Sequence, residues 1–379
     1  MDKKTQDAFY ALVKAGLWAD VNANLNANHT LFEGVDWSEL YRLAEEQSVV
    51  GLVAAGIEEL RAKNSDLRVP QKWALQFIGL TLQVEQRNKA MNAFVAELIE
   101  QLRKNNIYAI LVKGQGISQC YEKPLWRASG DVDLLLNDSN YEKAKKLLVP
   151  LASSAETEYS HFKHIGMTID GWVVELHGTL HSRLSRRVDN VVDEVQREVF
   201  YGGKVRSWMD GKTQVFLPAP DCDVIFLFTH ILHHYFFEGI GLRQFCDLCR
   251  FLWTYRDSLD LQLLESRIKK AGIMTEWKTF AAFAVDYLGM PVEAMPLYDN
   301  SSKFKAKGSK MMDFVMEVGN FGHKQRRDFT GMPYVKRKFI SFWGRLSDML
   351  RHFTVFPLDS IRFFGGVLRS GLHAAVRGE

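Results

Sequence analysis

Two aspartates one residue apart, in Gly130-Asp131-Val132-Asp133-Leu134-Leu135-Leu136, are the side chains of this sequence best placed to do chemistry. The apolar run they open reads as a buried strand, and the period of two points both carboxylates to one side. Two converging anions call for a cation. Upstream, the apolar run Ile110-Leu111-Val112 stops at Lys113-Gly114-Gln115-Gly116. Gly114 and Gly116 lack the Cβ that would block close backbone approach, and amides opening a short helix there could cradle an anionic oxygen. A third carboxylate, Glu175, lies in Trp172-Val173-Val174-Glu175-Leu176-His177, where Val173, Glu175 and His177 share one face of a strand. Three acidic groups at strand ends beside a glycine turn suit two-metal phosphoryl chemistry, in which paired divalent ions about 3.5–4 Å apart activate an attacking oxygen and stabilise a leaving one. Lys113 either neutralises a phosphate, the reading favoured here, or snorkels at a strand end. Arg127 bridges the acidic cluster or binds substrate phosphate. His177 is a structural hydrogen-bond donor or a participant.

These side chains need strands, and the strands need helices to cover them. The segment from His161 to Leu180 reads as a hairpin around Asp170-Gly171, and Val205 to Leu217 as another around Asp210-Gly211. The helix from Asp138 is capped and stopped by Pro150. Ahead of the strands the chain reads as helical throughout: Asp7 to Trp18, a second helix from Asp36 to about Arg61, and a long helix from Gln71 to Lys104 with Leu75, Ile78, Leu82, Met91, Phe94, Val95, Leu98 and Leu102 on its apolar face. Lys63-Asn64-Ser65-Asp66 reads as an exposed linker. Val188 to Phe200 reads as a further helix. After Pro218 and Pro220 come helical candidates at Cys222 to Asp257, Asp260 to Ala271 and Thr275 to Leu288. The expected domains are a helical region at 1–105, an αβ core with hairpins at 106–217, a helical domain at 218–300 and a basic amphipathic helical tail at 301–379.

Lys113-Gly114, Arg127, Gly130-Asp131-Val132-Asp133 and Glu175-Leu176-His177 together resemble the signature of an uncharacterised bacterial nucleotidyltransferase family of the polymerase-β superfamily. The resemblance spans about residues 36–255 and includes Gly241-Leu242-Arg243 followed by Asp247. The Gly-Ser usual after the first strand of that superfamily is Gly114-Gln115 here. The resemblance implies an α+β fold: a minimal core of small mixed sheet and helices, flanked by N-terminal and C-terminal helical regions. It also implies Asp131 and Asp133 as ligands of Mg2+ or Mn2+, with Glu175 in the position of the third carboxylate. The family is often encoded near surface-polysaccharide genes.

Composition bounds the rest. The 379 residues are 47% hydrophobic and 25% charged, an ordinary folded protein. The N-terminus Met1-Asp2-Lys3-Lys4-Thr5-Gln6-Asp7 has no signal-peptide pattern, and the most apolar windows are too short or too broken by His230, His233 and His234 to cross a bilayer. Four cysteines, Cys120, Cys222, Cys246 and Cys249, read as reduced thiols, so the expected compartment is the cytoplasm. The net charge of +3 is unevenly spread: residues 301–379 carry 15 Lys and Arg against 6 Asp and Glu. Phe339 to Leu346 and Ile361 to Arg369 in that tail read first as helices packing on their own domain, with weak membrane-surface contact as a secondary expectation. His230, His233 and His234 with Cys246 and Cys249 offer zinc-type ligands, but within aromatic helical sequence core packing is the better reading.

The expected function is a metal-dependent nucleotidyltransferase that takes a nucleoside triphosphate and an unidentified hydroxyl or phosphate acceptor and releases pyrophosphate. The phosphates would lie on Lys113, Gly114, Gln115, Gly116 and Arg127, and no specific nucleic acid is expected. Two alternatives stand beside it: a glycosyltransferase whose Asp-x-Asp holds a metal on a nucleotide-sugar diphosphate, and a non-catalytic nucleotide- or partner-binding protein of the same fold.

Overall fold

Asp2 and Asp36 begin the structure's first two major helices, each accepting hydrogen bonds from backbone amides of the turn that follows it. This computed structural model describes residues 2–19, 29–63, 68–158, 163–319, 350–357 and 360. The helix α1 (Lys3–Leu17) buries Phe9, Leu12 and Val13, as its spacing predicts. The single helix expected from Asp36 to about Arg61 is instead two, α2 (Trp37–Glu46) and α3 (Val50–Lys63). The break is made at Ser48, whose φ is 56°, and at Gln47, whose buried amide serves the tertiary structure. Gln47 Nε2 donates to the carbonyl of Val315 (3.0 Å), and its Oε1 accepts from the amide of Leu242 (2.7 Å). A buried amide so fully used outweighs the helical propensity of the sequence around it.

The long helix α4 (Gln71–Lys104) has the predicted bounds, but the predicted apolar face is covered only along its second half, the first half packing instead through Phe77 and Thr81. Met91, Val95, Leu98 and Leu102 are buried, whereas Leu75, Ile78 and Leu82 are 62%, 52% and 51% exposed. The buried half packs on a five-stranded mixed sheet in the order β1-β2-β5-β4-β3. Its strands are β1 (Ile110–Val112), β2 (Asp131–Leu135), β3 (Ser154–Ala155), β4 (His164–Ile169) and β5 (Trp172–His177). A short helix α5 (Gly114–Ser118) follows β1, and α6 (Asp138–Leu148) follows β2. One face of the sheet, with Leu111, Val132, Leu134, Val174 and Leu176, shares a core with α4 and α6. The other face, through Ile110, Val112 and Leu135, joins a second and larger core built from the helices on both sides of the sheet in sequence. The sheet is thus a partition between two apolar clusters.

Beyond it come α7 (Arg186–Tyr201) and a separate hairpin of β6 (Val205–Asp210) and β7 (Thr213–Pro218), close to the predicted spans. The single helix expected from Cys222 to Asp257 is divided at Glu238 to Gly241 into α8 (Pro220–Phe237) and α9 (Leu242–Thr254). Three more helices, α10 (Leu261–Ala271), α11 (Met274–Leu288) and α12 (Ser302–Val318), complete the larger core. The Trp18 indole donates to the carbonyl of Leu288 at 2.6 Å, tying the start of the chain to the end of α11. All four cysteines are buried free thiols. None of the described helices is long and apolar enough to cross a membrane. The tail segments Phe339 to Leu346 and Ile361 to Arg369 lie outside the described residues, as do residues 64–66 of the expected linker, whose first residue, Lys63, instead ends α3.

His352 makes one acid-sensitive joint in this core. It is 3% exposed and packs against Tyr235, Phe236 and Phe314. Burial, with some repulsion from Arg351, pushes its imidazole down to about 3. The folded protein therefore holds it neutral, while the unfolded chain takes up a proton below the ordinary value near 6.5. Its stability contribution is present above that value and is lost as pH falls from there toward 3, about 2 kcal/mol by pH 5. Urea denaturation at pH 7 and pH 5 should show a drop that is smaller by about this amount in His352→Phe, and an unchanged drop would remove His352 as its source.

Candidate active site

The strand register brings the polar side chains together. β2 and β5 run parallel with Asp133 opposite Glu175, while β4 and β5 run antiparallel with His164 opposite His177. Cross-strand partners project from the same side of a sheet, and residues two apart on one strand do the same. Asp131, Asp133, Glu175, His177 and His164 consequently share one face. Asp131, Asp133 and Glu175 each present a carboxylate oxygen, the three lying within 4.8 Å of one another, a spacing that could hold a metal ion. The hairpin that delivers Glu175 turns at Asp170-Gly171, both with positive φ (50° and 80°), as the sequence predicts.

The cluster is dense in charge. Asp133 is 2% exposed, and its Oδ1 accepts from Lys113 Nζ (2.8 Å) and lies 2.8 Å from His177 Nε2. Burial alone would raise the Asp133 carboxyl; Lys113 and His177 overcome it and hold the group below the usual carboxylate range. Asp131 takes the opposite share. The charge of Asp133, then burial, push it up to about 6. Burial works against the Lys113 ammonium, yet Asp133, Glu175 and Asp131 raise it above its ordinary value, so it stays charged. Glu175 likewise overcomes burial through His164 and His177 and is held far below the usual range.

The turn after β1 places the lysine. Lys113 has φ 58° and ψ −141°, a conformation that L-residues rarely adopt, and Gly114 follows with φ 27°. At Gly116 an added Cβ would come within 2.7 Å of Leu217 Cδ2, so α5 packs closely on β7 there and a larger residue would make the leucine side chain shift. Gln115 turns inward: its side chain is buried and its Nε2 donates to Met91 Sδ. Of the phosphate-side residues read from sequence, Gln115 therefore reaches the cleft with no side-chain atom.

Arg127 is engaged with the protein itself. Its Nε and Nη2 donate to the two oxygens of Asp247 on α9 (3.0 and 2.6 Å), and its Nη1 donates to Ser129 Oγ and the Ala128 carbonyl. Tyr121 donates to the same aspartate at 2.8 Å. Asn88 of α4 donates to the carbonyl of Arg127, and Arg243 to that of Ala128. The fork is spent on Asp247 and not on the acidic cluster, although Arg127 lines the same cleft as Asp131 and Asp133. What it braces is the segment leading into Asp131.

A cleft of about 390 Å³ opens on the acidic face, lined by Lys113, Asp131, Asp133, Glu175 and His177 on one side and by α8 and α9 on the other. The α8 wall carries His230, His233 and His234, which the sequence reading assigned to core packing; Cys246 and Cys249 are indeed fully buried. His230 Nε2 lies 3.0 Å from His234 Nε2, and His234 Nδ1 lies 2.8 Å from Glu238. Burial, with Lys113 nearby, holds His230 well below its ordinary value, so it is neutral. His164, Arg243, Asp247 and Glu238 were not read as site residues. His164 left a local signal, since it mirrors His177 across the predicted turn, and Arg243 and Asp247 fall in the stretch that the family resemblance includes.

The family described as "Uncharacterised nucleotidyltransferase" matches residues 33–289. No curated protein matches the chain. Among solved structures the chain is similar to an antigenic nucleotidyltransferase-like protein from Paracoccidioides brasiliensis, at 14% identity over 53% of this chain and 93% of that one, with a TM-score of 0.32.

Proposed function

This chain belongs to the family of uncharacterised nucleotidyltransferases, and from that premise we propose that it transfers a nucleoside monophosphate from a nucleoside triphosphate to a hydroxyl or phosphate acceptor with release of pyrophosphate. The observation that carries the reading is the convergence of Asp131, Asp133 and Glu175 on one wall of a cleft whose opposite wall is imidazole-rich and carries Arg243. Three carboxylate oxygens are the donor set that Mg2+ or Mn2+ prefers, and the raised Asp131 carboxyl marks an excess of negative charge that a cation would relieve. When bound there, such ions supply charge neutralisation at the transferring phosphoryl group and activation of the attacking oxygen.

The chain's own residues do the positioning. Lys113, charged and flanked by a turn without side-chain bulk at Gly114, lies beside the aspartates where it can exchange its contact with Asp133 for the β- and γ-phosphates. Arg243 lines the same cleft and adds positive charge. The acceptor would enter against α8, its oxygen attacking the α-phosphorus as the bond to pyrophosphate breaks. A role in surface-polysaccharide metabolism and a cytoplasmic location belong to this reading through the family resemblance and the reduced thiols, not through the cleft.

Pyrophosphate release from each of the four nucleoside triphosphates, with Mg2+ or Mn2+ and a cell extract as acceptor, tests the proposal. Release that stops on chelation is expected. Nucleoside diphosphate released from a nucleotide sugar instead would replace it with glycosyl transfer. Within this assay Lys113→Gly, which relaxes the backbone while deleting the ammonium, should lower kcat/KM about 10–100-fold, chiefly through KM for the triphosphate. A normal KM would exclude the lysine from phosphate binding.

A further inference from the structure

Glu175 stands between two sets of donors. On one side are Asp131 and Asp133; on the other are two imidazoles, His164 and His177, which pair across β4 and β5. Both rings aim Nε2 at the same oxygen, Glu175 Oε2, from 3.2 and 3.4 Å, and their centroids are 4.8 Å apart. His177 Nε2 also lies 2.8 Å from Asp133 Oδ1. A single Nε2–H donates well to one acceptor, so hydrogen bonding alone leaves His177 divided between two carboxylates. With metal–nitrogen and metal–oxygen bonds of about 2.0–2.1 Å, neighbouring ligands of a tetrahedral ion stand about 3.3 Å apart. The separations at Glu175 have that size. The side chains are 23%, 28% and 10% exposed and open onto the cleft, so an ion can reach them.

We propose that His164, Glu175 and His177 form a second cation site, nitrogen-rich where the aspartate site is all oxygen, that takes a borderline first-row divalent ion such as Zn2+ or Co2+ in preference to Mg2+. Imidazole suits such ions, whereas Mg2+ favours oxygen and keeps its waters. Glu175 is common to both sets, so the two ions sit side by side with the softer one toward His164. That the softer ion serves the acceptor rests on the transfer reading above; that it binds does not.

The test is a Co2+ titration of the full-length protein in buffer holding excess Mg2+, read by the visible ligand-field bands of the cobalt. Expected are bands that saturate with Mg2+ present, persist in Asp131→Asn, and are lost in His164→Ala and His177→Ala, each weakening Co2+ by more than the roughly 10–100-fold typical of a mere outer partner. Wild-type protein given one equivalent of Cu2+ in excess Mg2+ should also show nitrogen coupling from imidazole by pulsed electron paramagnetic resonance, a readout independent of whether the variants fold. Cobalt displaced by Mg2+, bands lost in Asp131→Asn yet kept in the histidine variants, or copper without imidazole nitrogen coupling would each overturn the site. Neither measurement requires turnover, so a protein that binds cobalt but releases no pyrophosphate would sink the transfer reading and leave the site standing.

Discussion

Asp131→Asn/Asp133→Asn should lower pyrophosphate release by about a thousandfold or more while leaving the fold intact. The substitution keeps the size and planar shape of both side chains and removes two negative charges from a wall where three carboxylate oxygens meet. If those charges hold the cations, several kcal/mol of transition-state stabilisation go with them, and every 1.36 kcal/mol is tenfold in rate. Folding should suffer little. Asp131 is already pushed up to about 6 by its neighbour, so neutralising it relieves repulsion, while Asp133 loses its charge toward Lys113 and His177. A thermal melt near the wild-type value together with absent turnover is the expected pair of results. Retained turnover in a folded double variant would remove the aspartates from the chemistry and the proposed mechanism with them.

The largest effect on stability is expected at Asp247. Its carboxylate takes a two-pronged ion pair from Arg127 and a hydrogen bond from Tyr121, with Arg127 9% and Asp247 5% exposed. Asp247→Ala leaves a guanidinium buried with no counter-charge, a change that costs about 3–5 kcal/mol. Replacing both members by apolar residues should recover much of that loss, because an absent charge needs no solvation. Urea denaturation of the single and double variants separates the two cases. If the single variant loses under about 1 kcal/mol, the pair is not a brace but an ordinary surface-like contact. The brace also aligns the segment from Arg127 to Gly130 that enters β2, so a folded double variant should still be slow, with the deficit in kcat rather than in binding.

Much of this site could be read in the sequence, and the parts that could not share a physical cause. Asp131 and Asp133 follow from a period of two, and Glu175 from the turn at Asp170-Gly171; both are local rules. The small mixed sheet flanked by helices also follows from apolar runs and turn residues. The partner of Arg127 is 120 residues away on a different helix, and no spacing announces it. The histidines of α8 were assigned to the core because nearly every position of that helix is apolar, which erases the periodicity that would separate a core flank from a cleft flank. The break at Ser48 arises where tertiary demands on Gln47 override helix-forming sequence, whereas the break at Glu238 to Gly241 falls on Gly239 (φ 88°) and Gly241, a local signal that the reading of one long helix passed over. Leu75, Ile78 and Leu82 show the reverse error: a regular apolar stripe that nothing among the described residues covers.

The family match begins at residue 33 and stops at residue 289. Yet α1 lies wholly before it and α12 wholly after it, and both are sunk in the larger core, α1 through Phe9, Leu12 and Trp18 and α12 through Met311, Met312 and Val315. Gln47 fastens α12 to the first residue of α9, inside the matched stretch. What this chain shares with its relatives and what it needs in order to stand as a folded body are thus different lengths of polypeptide. Cutting at the edges of the shared stretch would strip the lining from a common interior, and the helices outside the match are the ones that keep the matched part closed.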